Sequence, residues 1–208
     1  MTNQTLLLTA ACFIVGGLAY AVYKHVKRRQ LQALQNKAAQ GDPASLVALG
    51  HKYYKGKEVE KNAEKAFNCF KQAAKAGLAQ AQVLTAAMCR AGDGCPQNDR
   101  ETFRWYQAAA QQGNYEGKLN LIMCHLKGIG TPKDPHQAFT LALEAADAGS
   151  PFAQVMTGDF YACGTGTPQD KDKARRYYLL AAVQGEPHAK KRLKTLDHII
   201  ERHDAMIQ

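Results

Sequence analysis

The sequence lacks the signatures on which most enzyme classes depend. It has no CxxC pair, no P-loop, no Ser-based nucleophile elbow and no paired-carboxylate signature, so zinc, phosphate and acyl-transfer chemistry have no recognisable base. His198 and His203 are the nearest approach to a metal motif. They stand five apart rather than four, roughly 140° around a helix, and diverge. Gly128-Ile129-Gly130 and Gly164-Thr165-Gly166 lack the third glycine and the preceding strand of a dinucleotide site. No catalytic residue, cofactor or metal is expected. Acidic residues are also short, with 18 Asp and Glu against 27 Lys and Arg, a formal charge of +9. Many positives fall in two clusters, Lys24 to Arg29 and Lys171 to Lys194, the second interleaved with Asp170, Asp172 and Glu186. That mixture reads as a solvated helix surface. A basic stripe with stacking aromatics, the usual mark of nucleic-acid binding, is missing, and no nucleic-acid partner is expected.

What the sequence does have is a period. Glycine recurs every 36 residues at Gly41, Gly77, Gly113, Gly149 and Gly185. Gly56, Gly92, Gly128 and Gly164 form a second series at the same spacing, and four alanine pairs, Ala73-Ala74 to Ala181-Ala182, form a third. Self-similarity at this length marks a solenoid, in which each unit stacks on its neighbours and presents a long surface. Four units exceed the roughly three that a stable stack needs.

The fourth unit, Ser150 to Gly185, shows the internal plan. Ala153, Thr157 and Tyr161 recur at helical spacing, and Gly164 to Pro168 then break the helix. Asp170 is placed to cap a second helix, about Asp172 to Gln184, which Gly185 ends. Each unit is therefore helix–loop–helix, and the fold class is an all-α, α/α solenoid with a right-handed superhelix. Small residues at one leading-helix position (Ser45, Ala81, Gly117, Ala153, Ala189) and the alanine pairs let stacked helices approach closely. Of the six cysteines, Cys12 lies in the apolar run and the other five fall at unmatched offsets within the units, which favours free thiols over a repeated disulfide framework.

The ends differ from the units. Leu6 to Tyr23 is an uncharged run of 18 residues, at the short end of a membrane-spanning helix of about 17–25. Its positive charges all follow it, which places the rest of the chain in the cytoplasm as a single-pass inner-membrane protein. A cleaved signal peptide is the rival, with Ala19-Tyr20-Ala21 as the cleavage site and a periplasmic domain as its consequence. The expected organisation is an anchor with basic flank over 1–29 and a polar helical linker or cap over 30–41. Four repeats follow, at 42–77, 78–113, 114–149 and 150–185, and a polar capping helix over 186–208.

The pattern A-x-x-x-L-G-x-x-Y-x-x-G-x-G, a Pro/Asp loop, then K-A-x-x-W-Y-x-x-A-A-x-x-G resembles the Sel-one-like repeat family, a 36-residue relative of the tetratricopeptide repeats. It is carried by Leu49-Gly50, Tyr53 and Gly56 in unit one and by Trp105-Tyr106 with Ala109-Ala110 in unit two. Gly128-Ile129-Gly130 carries it in unit three, and Gly158, Tyr161, Gly164 and Tyr177-Tyr178 in unit four. Departures are local: Glu58 replaces the second loop glycine of unit one, Cys89 the tyrosine of unit two, and Leu141-Ala142 the aromatic pair of unit three. The resemblance implies an adaptor or scaffold, with no shared catalytic residues.

In related solenoids the leading helices line the concave face. That face would carry an aliphatic row of Val47, Val83, Leu119 and Val155, together with Phe152. Beside it would stand two rows of varied chemistry, one with His51, Met123 and Asp159, the other with Tyr54, Arg90 and Leu126. These positions share one side of a helix and are the candidate protein-binding residues. The aliphatic row also suits ordinary inter-helix core. Three functions compete: a membrane-tethered scaffold that binds a protein or peptide, an exported repeat protein of the envelope, and a hydrolase.

Overall fold

A computed structural model describes the main chain over residues 3–207 and side chains over 20–198. Its described residues form ten α-helices. A long helix, α1 (Asn3–Ala39), leads into four helix pairs. The leading members are α2 (Pro43–Lys55), α4 (Ala79–Ala91), α6 (Tyr115–Lys127) and α8 (Pro151–Cys163). The trailing members are α3 (Ala63–Lys75), α5 (Asp99–Gln111), α7 (Pro135–Asp147) and α9 (Lys171–Val183), and α10 (Pro187–Ile207) closes the stack. Each helix packs on those before and after it in sequence, the contact pattern of a solenoid.

Local chemistry fixes the boundaries. Every trailing helix opens on an Asn or Asp whose side chain accepts from the third backbone amide beyond it: Asn62 from Lys65, Asn98 from Glu101, Asp134 from Gln137 and Asp170 from Lys173, at 2.8–3.0 Å. These bonds satisfy donors that no intrahelical carbonyl can reach. Three leading helices are capped alike, by Asp42, Asn114 and Ser150, while Leu78 leaves α4 without a side-chain cap. The glycines Gly56, Gly92, Gly128 and Gly164 end the leading helices in the left-handed region.

The second loop glycine has a sharper reason. A Cβ on Gly94, Gly130 or Gly166 would run into the carbonyl of Ala63, Asp99 or Pro135, the first residues of α3, α5 and α7. Each loop thus closes on the start of the preceding trailing helix. In unit one the position holds Glu58, at φ 64°. There the preceding helix is α1, which does not start at that level but runs on. Glu58 reaches Lys27 of α1 at 3.6 Å and Lys52 of α2 at 2.6 Å. An ion pair replaces the backbone contact.

Volume is exchanged across each pair. Gly50 faces the Phe70 ring and Gly158 the Tyr178 ring, so closely that a Cβ at either would overlap the ring. The same positions hold Ala86 with Tyr106 in unit two and Ile122 with Ala142 in unit three, all buried. The alanine that breaks the aromatic pattern in unit three is filled from the opposite helix, so the core keeps its density. Gln82 and Gln154 are buried at equivalent seams. Each donates to an alanine carbonyl of the preceding unit (Ala74, 3.3 Å; Ala146, 3.4 Å) and accepts from Gln112 or Gln184 at 2.8 Å.

Both ends are covered. Leu31, Leu34 and Ala38 of α1 lie 36 residues before Phe67, Phe70 and Ala74 and pack on α2 with Leu46 and Leu49. The end of α1 is therefore the trailing helix of an incomplete unit. Ala189, Leu193 and Leu196 of α10 close the other face against Ala174, Tyr178 and Ala181. The apolar run Leu6–Tyr23, read as membrane-spanning, lies outside the described side chains except for Tyr20 to Tyr23. Among the described residues no helix is long and apolar enough to cross a membrane.

Candidate functional site

The leading helices carry two hollows. The larger, of about 420 Å³, opens between α2 and α4. Its floor is Phe70, Leu84, Ala87 and Met88, and its rim is His51, Tyr54, Lys55 and Asp93. The small side chains of Ala87 and Ala91 leave it open on the α4 side. The second hollow, about 220 Å³, lies between α6 and α8 and is lined by Leu126, Met156, Asp159, Phe160, Cys163 and Thr165.

The rim of the first hollow is electrostatically ordered. Asp93 of the α4–α5 loop shares that rim with Tyr54, and as a hydrogen-bond acceptor first and a negative charge second it favours the protonated phenol and raises its pKa. His51 meets the Phe70 ring edge-on, with centroids 5.1 Å apart. Partial burial, then the charge of Lys55, lowers its pKa, so the imidazole is held toward the neutral form. An apolar floor with a few directional polar groups at the mouth suits an inserted apolar side chain flanked by peptide. It supplies no nucleophile paired with a base.

The structure sorts the candidate positions. His51 and Tyr54 meet in the first hollow, Leu126 and Asp159 in the second. Val83 and Val155 are corrected: at 1% and 6% exposure they are enclosed in the core, because this offset faces the alanines of the trailing helices. Val47 and Leu119 are half-buried against core clusters, and Met123 is also half-buried. The Asp159 carboxylate is already engaged, accepting from Tyr178 at 2.7 Å and pairing with Arg192 of α10 at 2.9 Å. Arg90 is exposed, and its charge partly offsets the rise that burial gives the Tyr106 pKa. Phe152 is exposed at the start of α8, apart from both hollows.

Sequence reasoning missed Asp93, Leu84 and Met88, which lie off the chosen helix face or on the loop. It also missed an apolar patch on the outer side of α9, where Leu179, Leu180 and Val183 are exposed. The signal was present: the matching positions read Lys71, Gln72, Lys75 in unit one and Gln107, Ala108, Gln111 in unit two.

The family model for the Sel1 repeat matches residues 43–78, 79–114, 117–150 and 151–186. A Sel1 repeat protein from Oxalobacter formigenes is 30% identical, with a TM-score of 0.69, over 78% of this chain and 64% of that one. The chain therefore spans just under two thirds of that relative's length. A protective antigen of uropathogenic Escherichia coli with an SLR fold is 23% identical over 78% of this chain and 43% of its own, at a TM-score of 0.43. A Sel1 repeat protein from Klebsiella pneumoniae is 17% identical over 79% and 82%, at 0.47. No curated protein matches the chain significantly. With four matched repeats lying on four helix pairs, the chain belongs to the Sel1 repeat family, whose members are in general non-enzymatic scaffolds for protein–protein interaction.

Proposed function

We propose that this protein is a membrane-tethered scaffold that holds a partner protein along its leading helices, with the α2–α4 hollow as the anchoring point. The observation that carries the reading is the hollow itself: an apolar floor of Phe70, Leu84, Ala87 and Met88 beneath a polar rim of His51, Tyr54 and Asp93. Its occupant is an apolar side chain of a partner segment, with main-chain groups in reach of the rim. Val47, Leu119, Met123, Leu126 and Phe152 extend the same face.

Ala87 is exposed, so Ala87→Arg fills the hollow without entering the core. Full-length protein should recover a partner that Ala87→Arg and Tyr54→Ala both lose. Equal recovery by all three proteins would remove the hollow from the binding surface.

The tether rests on the uncharged run Leu6 to Tyr23, followed by Lys24, Lys27, Arg28 and Arg29, and on the continuity of α1 from that run into the stack. Topology reporters fused after Gln30 and at the C-terminus, with a blot for chain length, test it. Uncleaved protein with cytoplasmic reporter activity supports the inner-membrane anchor. A shortened chain with periplasmic activity would replace it with the exported form that Ala19-Tyr20-Ala21 suggests.

A further inference from the structure

Two cysteines six residues apart in the chain share one apolar cluster. Cys89 lies near the end of α4, 4% exposed. The chain turns through Gly92 and Gly94, both at positive φ, and folds back until the Asn98 amide donates to the Cys89 carbonyl at 2.9 Å. That return sets Cys95 against the cluster of Ala66, Phe67, Phe70, Met88 and Cys89. Its side chain thus shares one apolar pocket with Cys89, close enough to add to the rise in the Cys89 pKa that burial begins.

The other units serve as controls. The same two positions hold Tyr53 and Val59, His125 and Thr131, and Tyr161 and Thr167. Unit two alone carries cysteine at either position, and it carries cysteine at both.

We propose that Cys89 and Cys95 are a reversible disulfide site, closed by a small-molecule disulfide such as oxidised glutathione, that fixes the α4–α5 loop to the end of α4. Cys95 is partly exposed and is the point of entry. Its thiolate attacks one sulfur of the oxidant, forming a mixed disulfide and expelling a thiolate. The Cys89 thiolate then attacks the Cys95 sulfur and expels the second. Two protein thiols lose two protons and two electrons, and the oxidant becomes two thiols.

Burial, with Cys95 as the next cause, pushes the Cys89 thiol up to about 12. The second attack is therefore the slow step, and it accelerates with pH. The bridged segment carries Asp93, which lines the rim of the α2–α4 hollow with Tyr54. Oxidation thus stiffens that rim without changing a residue that faces the ligand, and this holds whether or not a membrane anchor is present.

The test uses the full chain with the exposed Cys163 changed to serine. The protein is treated with oxidised glutathione, alkylated in acid and digested with trypsin. Trypsin cleaves after Arg90 and Arg100, so the bridge joins peptides 76–90 and 91–100. The linked pair should appear, vanish on reduction, and follow a glutathione adduct on Cys95, with closure at least tenfold faster at pH 9 than at pH 7. A Cys95→Ser variant should yield no linked pair and leave Cys89 unmodified. Serine is close to the threonine of units three and four, and circular dichroism checks the variant's fold. A Cys95 adduct that never closes, Cys89 joined to another cysteine, or two unmodified thiols would each overturn the proposal.

Discussion

Gly130 and Gly113 both have positive φ, 69° and 79°, yet their surroundings differ completely. A methyl at Gly113 meets nothing within 4 Å, whereas one at Gly130 strikes the Asp99 carbonyl and comes 2.9 Å from the Phe103 Cβ. Gly113→Ala therefore costs only the left-handed penalty, about 1–2 kcal/mol. Gly130→Ala adds a forced shift of the first turn of α5. Overpacking of that kind costs about 1–3 kcal/mol, for a total of about 2–5 kcal/mol. For a chain of this size each kcal/mol is worth about 2–4 °C. The Gly130 variant should melt about 2–12 °C below the Gly113 variant when both are followed by circular dichroism under one scan rate. Equal losses would show that the loop yields freely, and the account of loops as fixed ties between units would fail. Gly94→Ala and Gly166→Ala should match Gly130→Ala, because they strike equivalent carbonyls.

Three further outcomes are expected. Leu78→Asn gives α4 the cap that every other described pair helix has and should raise stability by about 1 kcal/mol in urea unfolding. Ile122→Gly and Ala142→Tyr should each destabilise, the first by leaving a cavity and the second by overfilling. Their combination, which copies unit four, should recover most of the loss in a double-mutant cycle. His51 has its pKa lowered by burial and by Lys55 from an ordinary value near 6.5. The stability this represents is present above pH 6.5 and is lost as pH falls toward the folded-state value. His51→Phe should flatten that acid-side slope in melting curves from pH 7 to pH 5, and an unchanged slope would assign it to other groups.

Much of the fold can be read from residues that act locally. A left-handed glycine or an Asn or Asp cap specifies its helix end from within a few residues, so a fixed period of such positions reads directly as helix pairs. Departures from the period are harder, because their compensation lies elsewhere. Ala142 looks like a weakened contact until Ile122, twenty residues earlier, is seen to fill the space. Glu58 looks like a strained loop until Lys27, thirty-one residues earlier, is seen to hold it. The binding face was half legible for a related reason. Residues at one helical offset share a direction, which gathered His51 with Tyr54. How deep each offset lies depends on what the trailing helices set against it, and their alanines turned Val83 and Val155 into core. Asp93 belongs to a loop and follows no helical face, so periodicity carried no information about it.

The loop contacts also have a direction in time. Gly94, Gly130 and Gly166 each rest on the first residue of a trailing helix made earlier in the chain, and Glu58 rests on α1. A ribosome delivers the N-terminal side first. Each emerging loop therefore finds its seat already built. The apolar faces do wait: Phe67 and Phe70 stay uncovered until α4 arrives, and Tyr178 and Ala181 until α10 does. The stack grows as a template grows, each loop seated on a helix already made and each apolar face offered to the next unit.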